Sequence, residues 1–265
     1  MRSLVFLVLL AAMAGSKAAA GGPDCKAPIS IGLGLSFDRD GYVASSLVKI
    51  LAERTGCRFH VMEIPRLRLW KQLKAGELDM ALLGLPTPER REFCWFVPYV
   101  TMRDLAVFRA DSVHITDSAS ILDNDAIAVG VAQGVSYNPT IDALIGKIRA
   151  RRPERIFSAA DQPLLLKMLQ SDRVQVAFME EPVYLSARRE GGVSSVASID
   201  VAPHETPAPH SIVLSKARFS HAEAEKWRDV TARLLTDGSI GAMLHRNLTK
   251  EERGGLTVPA RTELK

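Results

Sequence analysis

Arg90 is the residue whose surroundings best suit chemistry. It closes the turn Thr87-Pro88-Glu89-Arg90, just after the apolar run Met80 to Leu85. Thr87 can cap a new helical turn, and Pro88 would fill the first helical position, which favours proline. Arg90 then lies beside backbone N–H groups that have no acceptor within the helix. A cation there opposes the helix dipole, so helix stability does not explain it. A guanidinium fixed beside free N–H groups at a strand's carboxyl end can hold a carboxylate through a planar pair of hydrogen bonds. The plainer reading of Arg90 alone is a solvated helix charge.

Other chemistries find less support. Ser136 follows Gly134, but no second glycine completes a nucleophile elbow. The glycines at Gly32 and Gly34 resemble a dinucleotide fingerprint only superficially. His204 and His210 flank the proline-rich connector Pro203 to Pro209, and loop histidines alone rarely bind metal. Cysteine spacing matches no zinc site. The sequence therefore points to no catalytic residue, no metal and no cofactor.

The elements that must position Arg90 follow from periodicity. Gly76 suits the left-handed residue just past a helix marked by Leu69, Trp70 and Leu73. Met80 to Leu85 reads as a strand covered on both faces. Upstream, Ile29 to Leu35 is a strand, Val43 to Leu51 a helix ended by Gly56, and Phe59 to Ile64 a second strand. This β-α-β-α-β order predicts a parallel sheet with helices on its faces, whose ligands bind beyond the strands' carboxyl ends. The polar loop Ser36 to Gly41 and the Thr87 turn would share that edge. After a crossing strand at Leu105 to Arg109, a second block begins. It has strands at Ala126 to Val131, Val174 to Met179 and Val193 to Val201, and helices around Ile141 to Ile148 and Leu164 to Leu169. The basic stretch Lys147 to Arg152 reads as a solvated helix face. Ile212 to Leu214 is a strand returning to the first block. Ser220 to Glu223 reads as a capping box before a helix carrying Trp227, Val230 and Leu234. The tail after Glu251 is expected to fray. Leu73–Leu83 and Leu169–Met179 share a helix-turn-strand rhythm, which suggests two similar lobes.

The first twenty residues form a separate unit. Arg2 supplies a positive start, Leu4 to Met13 an apolar core, and Ala18-Ala19-Ala20 a small-residue cleavage site. That is a secretory signal pattern, too short for a membrane span, with cleavage expected near Ala20. No later apolar run predicts stable membrane insertion. Removing Arg2 and Lys17 lowers the formal charge from +4 to +2. With no Lys/Arg run interleaved with aromatics, nucleic acid is not an expected partner. An exported chain permits disulfides. Cys25 precedes the first strand and Cys57 opens the second, so parallel neighbours would bring the two within bridging distance. Three buried thiols, Cys94 included, are the alternative.

The ordered set Gly76, Asp79, Thr87, Arg90, Phe96, Pro98 and Tyr99 resembles the pattern of type II periplasmic solute-binding proteins of ABC transporters, among them the polar amino-acid binders. The likeness extends from about Ile29 to Asn247. Val129-Gly130-Val131 with Gly134 resembles the family's glycine turn. Val174 to Pro182 resembles its strand ending in an acid and proline, and Asp237-Gly238 its C-terminal turn. The resemblance implies an α/β fold of two lobes joined by two crossing segments, with a ligand cleft between them. Residues 21–103 and 209–265 would form lobe one, and 104–208 lobe two. It implies that Arg90, with Thr87 beside it, clamps a ligand carboxylate and that Ser136 closes over the same group. Glu180 would receive an ammonium, and Phe37 would supply an aromatic wall. The residues also admit plainer roles: Ser136 as a helix cap, Glu180 in a surface pair, Phe37 in the core. The chain departs from the family at Leu85 and Pro86, which replace hydroxyl-bearing residues, at Gln175, and at Glu180 in place of aspartate. The implied function is capture of a small, carboxylate-bearing, amino acid-like solute by a periplasmic monomer serving an ABC permease. A cyclohexadienyl dehydratase-like enzyme using Glu180, and a sensor or accessory protein, are the alternatives.

Overall fold

The computed structural model describes residues 22–25, 27–34, 42–189 and 195–259. The expected signal segment and the loop carrying Phe37 lie outside the described residues. In chain order the elements are β1 (Ile29–Gly34), α1 (Tyr42–Thr55), β2 (Phe59–Ile64), α2 (Arg66–Ala75), β3 (Met80–Gly84), α3 (Pro88–Phe93), β4 (Cys94–Met102), β5 (Asp104–Arg109), α4 (Ser118–Leu122), β6 (Val129–Ala132), α5 (Pro139–Arg151), β7 (Ile156–Ala159), α6 (Gln162–Gln170), β8 (Val176–Glu180), α7 (Glu181–Arg189), β9 (Val196–Ile199), β10 (Ala208–Ser215), α8 (His221–Thr236), α9 (Ser239–Asn247), α10 (Lys250–Gly254) and β11 (Leu256–Thr257).

Two sheets divide these strands. One has the order β11-β4-β10-β3-β1-β2 and the other β7-β6-β8-β5-β9. β1 runs parallel to β2 and β3, and β6 runs parallel to β7 and β8. In the first sheet, β10 is antiparallel to β3 and β4, and in the second β5 is antiparallel to β8 and β9. The chain passes from one sheet to the other between Met102 and Asp104, and returns between Ile199 and Ala208. Both central parallel strands, β3 (MALLG) and β8 (VAFME), are buried at every position. Helices therefore cover both faces, as parallel strands require.

Local chemistry sets the ends of the elements that face the cleft. Gly76 is the left-handed C-cap of α2 (φ 71°), and its N–H reaches back to Leu73 O. Asp172 occupies the same conformation (φ 56°) after α6, so the helix-turn-strand rhythm repeats down to its left-handed residue. Thr87 and Asn138 cap α3 and α5 through their side chains, each followed by proline. Asp79 is structural: its Oδ2 accepts from the N–H and hydroxyl of Ser30, and its Oδ1 pairs with Arg218 at 2.6 Å. It fastens β3 to β1 at the edge away from Arg90.

Three local expectations change. Leu105 to Arg109 does not itself cross between lobes, because β5 is built into the second sheet beside β8. Ser220 caps α8, but Glu223 does not complete the box; its carboxylate accepts from Asp24 N–H instead. The tail does not fray at Glu251: α10 carries its own capping box at Thr249, and β11 pairs with β4. The Cys25–Cys57 disulfide is present, with a Cα–Cα distance of 4.9 Å, where β1 and β2 begin side by side. Cys94 is a free, buried thiol, and burial pushes its pKa up to about 12.

Candidate functional site

The site lies where the carboxyl ends of β2 and β3 face the turn after β6. Arg90 leaves the first turn of α3 and stands over the Trp70 indole, its guanidinium carbon 3.9 Å from the ring centroid. Trp70 comes from α2, packs against Phe96 and is itself buried. Arg90 Nη1 donates to Leu85 O at 3.0 Å, and Nη2 donates to Gly134 O at 2.8 Å. The same carbonyl accepts from Trp70 Nε1 at 3.0 Å. A glycine turn of the second lobe is thus fastened to an arginine–tryptophan pair of the first. Burial, and then the nearby Arg66 guanidinium, lower the Arg90 pKa to about 10, so it stays charged at neutral pH.

Gly134 permits this approach. Its φ is +73°, and a Cβ there would stand 2.8 Å from Leu67 N and 3.1 Å from Arg66 C. Only a residue without a side chain brings the two backbones this close. Thr87 Oγ1 accepts the Arg90 N–H at 3.2 Å, which leaves the hydroxyl proton to donate elsewhere. Ser136 is half-buried two residues past Gly134. It does not cap α5, because Asn138 does. Phe37 lies outside the described residues.

Glu180 ends β8 at 2% exposure, so a surface pair is not its role. Its Oε1 lies 3.1 Å from His210 Nε2, and its Oε2 accepts from Gln162 Nε2 at 3.2 Å. Burial raises the Glu180 pKa, but the His210 contact and the charge of Arg66 outweigh it and hold the carboxyl below its usual value. Asp104 is the partner of Glu180 across the β5–β8 pair and accepts from Asn138 N–H at 2.7 Å. Burial pushes its pKa up to about 7. Glu180, His210 and Asp104 therefore sit together where the chain crosses between sheets.

Sequence reasoning missed Arg66, Trp70 and His210. Trp70 falls on the apolar stripe of α2, where it reads as core. Arg66 follows Pro65 among several basic residues and belongs to no motif in the sequence. His210 stood beside a proline-rich connector, yet it belongs to β10 and is buried. The Pro65 helix start beyond β2 is the signal that could have drawn attention to Arg66.

The arrangement is the type II periplasmic binding-protein fold. No protein-family model matches the chain, and no curated protein matches it in sequence. Solved structures match it in fold. The substrate-binding protein of an amino acid ABC transporter aligns with a TM-score of 0.67 at 14% identity, over 84% of this chain and 99% of that one. An ancestral amino acid-binding protein, a precursor of cyclohexadienyl dehydratase, aligns at 0.68 and 15% identity, over 84% and 96%. A histidine kinase sensor domain similar to periplasmic binding proteins aligns at 0.71 and 14% identity, over 88% and 98%. At such identities the likeness is one of fold, and this chain is a divergent example of it.

Proposed function

We propose that the protein captures a small polar, carboxylate-bearing, amino acid-like solute between its lobes and delivers it to an ABC permease. It does so as a monomer, exported by residues 1–20 and working in the periplasm, with lobes formed by 21–103 plus 209–265 and by 104–208. The observation that carries the proposal is Arg90, set over Trp70 and bridged to the Gly134 turn of the opposite lobe. Hinge closure brings that turn onto the guanidinium and excludes water, which strengthens a charge-assisted contact. Arg90 and Thr87 on one side and Ser136 on the other form the proposed carboxylate site. Glu180 is assigned to the hinge rather than to a ligand ammonium, since it is only 2% exposed and is enclosed by His210 and Gln162.

An enzyme using Glu180 as a general acid would need that carboxyl protonated near neutral pH. Its surroundings act the other way. A native mass spectrum of the protein purified from its own host tests the proposal. We expect a co-purified small acid on a chain beginning near residue 21. A chain still starting at Met1 would contradict export, and a bound molecule without an acidic group would contradict the assigned site.

A further inference from the structure

The cleft holds a second guanidinium that clamping at Arg90 leaves unused. Arg66 opens α2 directly after β2 and is only 7% exposed. Its Nη1 donates to Leu83 O at 3.2 Å, two residues before the carbonyl that takes Arg90. Its Nε has no hydrogen-bond partner among the described residues. A buried donor left unpaired is costly, and more so when it is charged. Beside it the end of β1 is bare: a Cβ on Gly34 would lie 3.1 Å from both Nε and Nη2 of Arg66. Gly34 thus lets the end of β1 lie against the Arg66 guanidinium with no side chain between them.

Charge points the same way. The hydrogen bonds of both guanidiniums run to main-chain carbonyls, those of Leu83, Leu85 and Gly134. Glu180 is near enough to attract Arg66, but its oxygens are held by His210 and Gln162. Arg66 and Arg90 repel one another, which adds to burial in lowering the Arg90 pKa and outweighs the attraction of Asp142 and Glu89. A buried and a half-buried cation sharing one end of a cleft are best relieved by an anion that reaches both. Among the described residues each guanidinium makes fewer hydrogen bonds than its five N–H donors allow.

We infer that the solute carries two carboxylates, one for Arg90 and one for Arg66: a short dicarboxylate, free or as an acidic amino acid. The inference rests on the carboxylate reading of Arg90 and narrows it. The test is calorimetric titration of the mature protein with matched pairs: succinate and succinamate, glutarate and glutaramate, L-aspartate and L-asparagine, L-glutamate and L-glutamine. The expected result is that wild type binds the dicarboxylate of at least one pair about 30-fold or more tighter than its monoamide, the effect of pairing one buried charge. Arg66→Gln keeps a donor for Leu83 O and should erase that preference, so that the variant binds diacid and monoamide within about threefold of one another. Monoamides binding wild type as tightly as the diacids would overturn the inference and leave the carboxylate reading intact. A preference that survives Arg66→Gln would remove Arg66 from the site. Binding of no member of the panel would overturn the carboxylate reading and the inference with it. The wild-type comparison decides the question even where the variant does not fold.

Discussion

At the scale of residues, the site is a set of buried charges with unequal partners. Arg90 is held by the Trp70 face and by two carbonyls, an arrangement that fixes its plane without neutralising it. The sequence pointed to Arg90 because its turn chemistry is local: a threonine cap, a proline and an arginine within four residues. Arg66 and Trp70 could not be read this way. Which face of α2 meets the cleft depends on how the second lobe docks, and periodicity within one helix carries no record of that. Asp104 gives a test at this scale. Its folded pKa of about 7 lies above the ordinary carboxylate value because burial disfavours its charge. Between about pH 4 and 7 the folded state thus holds a proton that the unfolded state has lost. Asp104 accordingly removes stability as pH rises through that window, by at most about 1.4 kcal/mol per pH unit. Asp104→Asn should be flatter than wild type in unfolding free energy between pH 5 and 8, with the difference growing toward high pH. Parallel pH profiles for the two proteins would contradict this account of Asp104.

At the scale of elements, the strand ends deliver the chemistry and the helix caps hold it. The Met80–Leu85 strand, the Gly76 cap and the Thr87 turn were legible because apolar runs and capping residues act within a few positions. The long β10 strand was legible only in part. Its first residues read as a proline-rich connector, but pairing with β4 from Ala208 onward overrides that local signal. Ser136 was open between a ligand contact and a cap; Asn138 takes the cap because it lies directly before Pro139. The turn after β6 is where lobe closure is most sensitive. Gly134→Ala would place a Cβ 2.8 Å from Leu67 N, in a backbone conformation (φ +73°) that alanine resists. Gly238→Ala is the control: φ is +77°, but nothing lies within 4 Å of the added carbon. Both changes should cost about 1–2 kcal/mol of folding stability from the backbone alone. Only Gly134→Ala should also weaken solute binding, by about tenfold or more, because overpacking at the contact between lobes opposes closure. Thermal melts and calorimetric titrations of both variants check this. Equal affinity losses in the two would contradict a closure role for the Gly134 turn.

At the scale of the molecule, two sheets face one another across a cleft and share two chain crossings. The fold was legible because the β-α-β-α-β order repeats in each half, and a parallel sheet leaves few ways to connect it. The disulfide was legible for the same reason, since parallel neighbours begin side by side. The embrace of the second lobe by the C-terminal segment was not. Arg188 and Arg189 on α7 reach Glu251 and Glu252 on α10, at 3.4 Å and 3.1 Å. Those contacts join residues far apart in sequence, from exposed arginines to an exposed Glu251 and a buried Glu252, which no local pattern encodes. They lie alongside the crossings, where the His210–Glu180 contact also ties one sheet to the other. Closing the lobes is proposed to place the charged Arg90 against a solute carboxylate, away from water. The most direct measurement titrates the tightest-binding carboxylate of the matched panel against wild type, Arg90→Ala and Arg91→Ala by calorimetry. Arg91 is the control, because it is exposed on the same helix. Arg90→Ala should lose about 2–5 kcal/mol of binding free energy, on the order of 30- to several-thousand-fold in affinity. Arg91→Ala should stay close to wild type. Equal losses at both positions, or no loss at Arg90, would contradict the account.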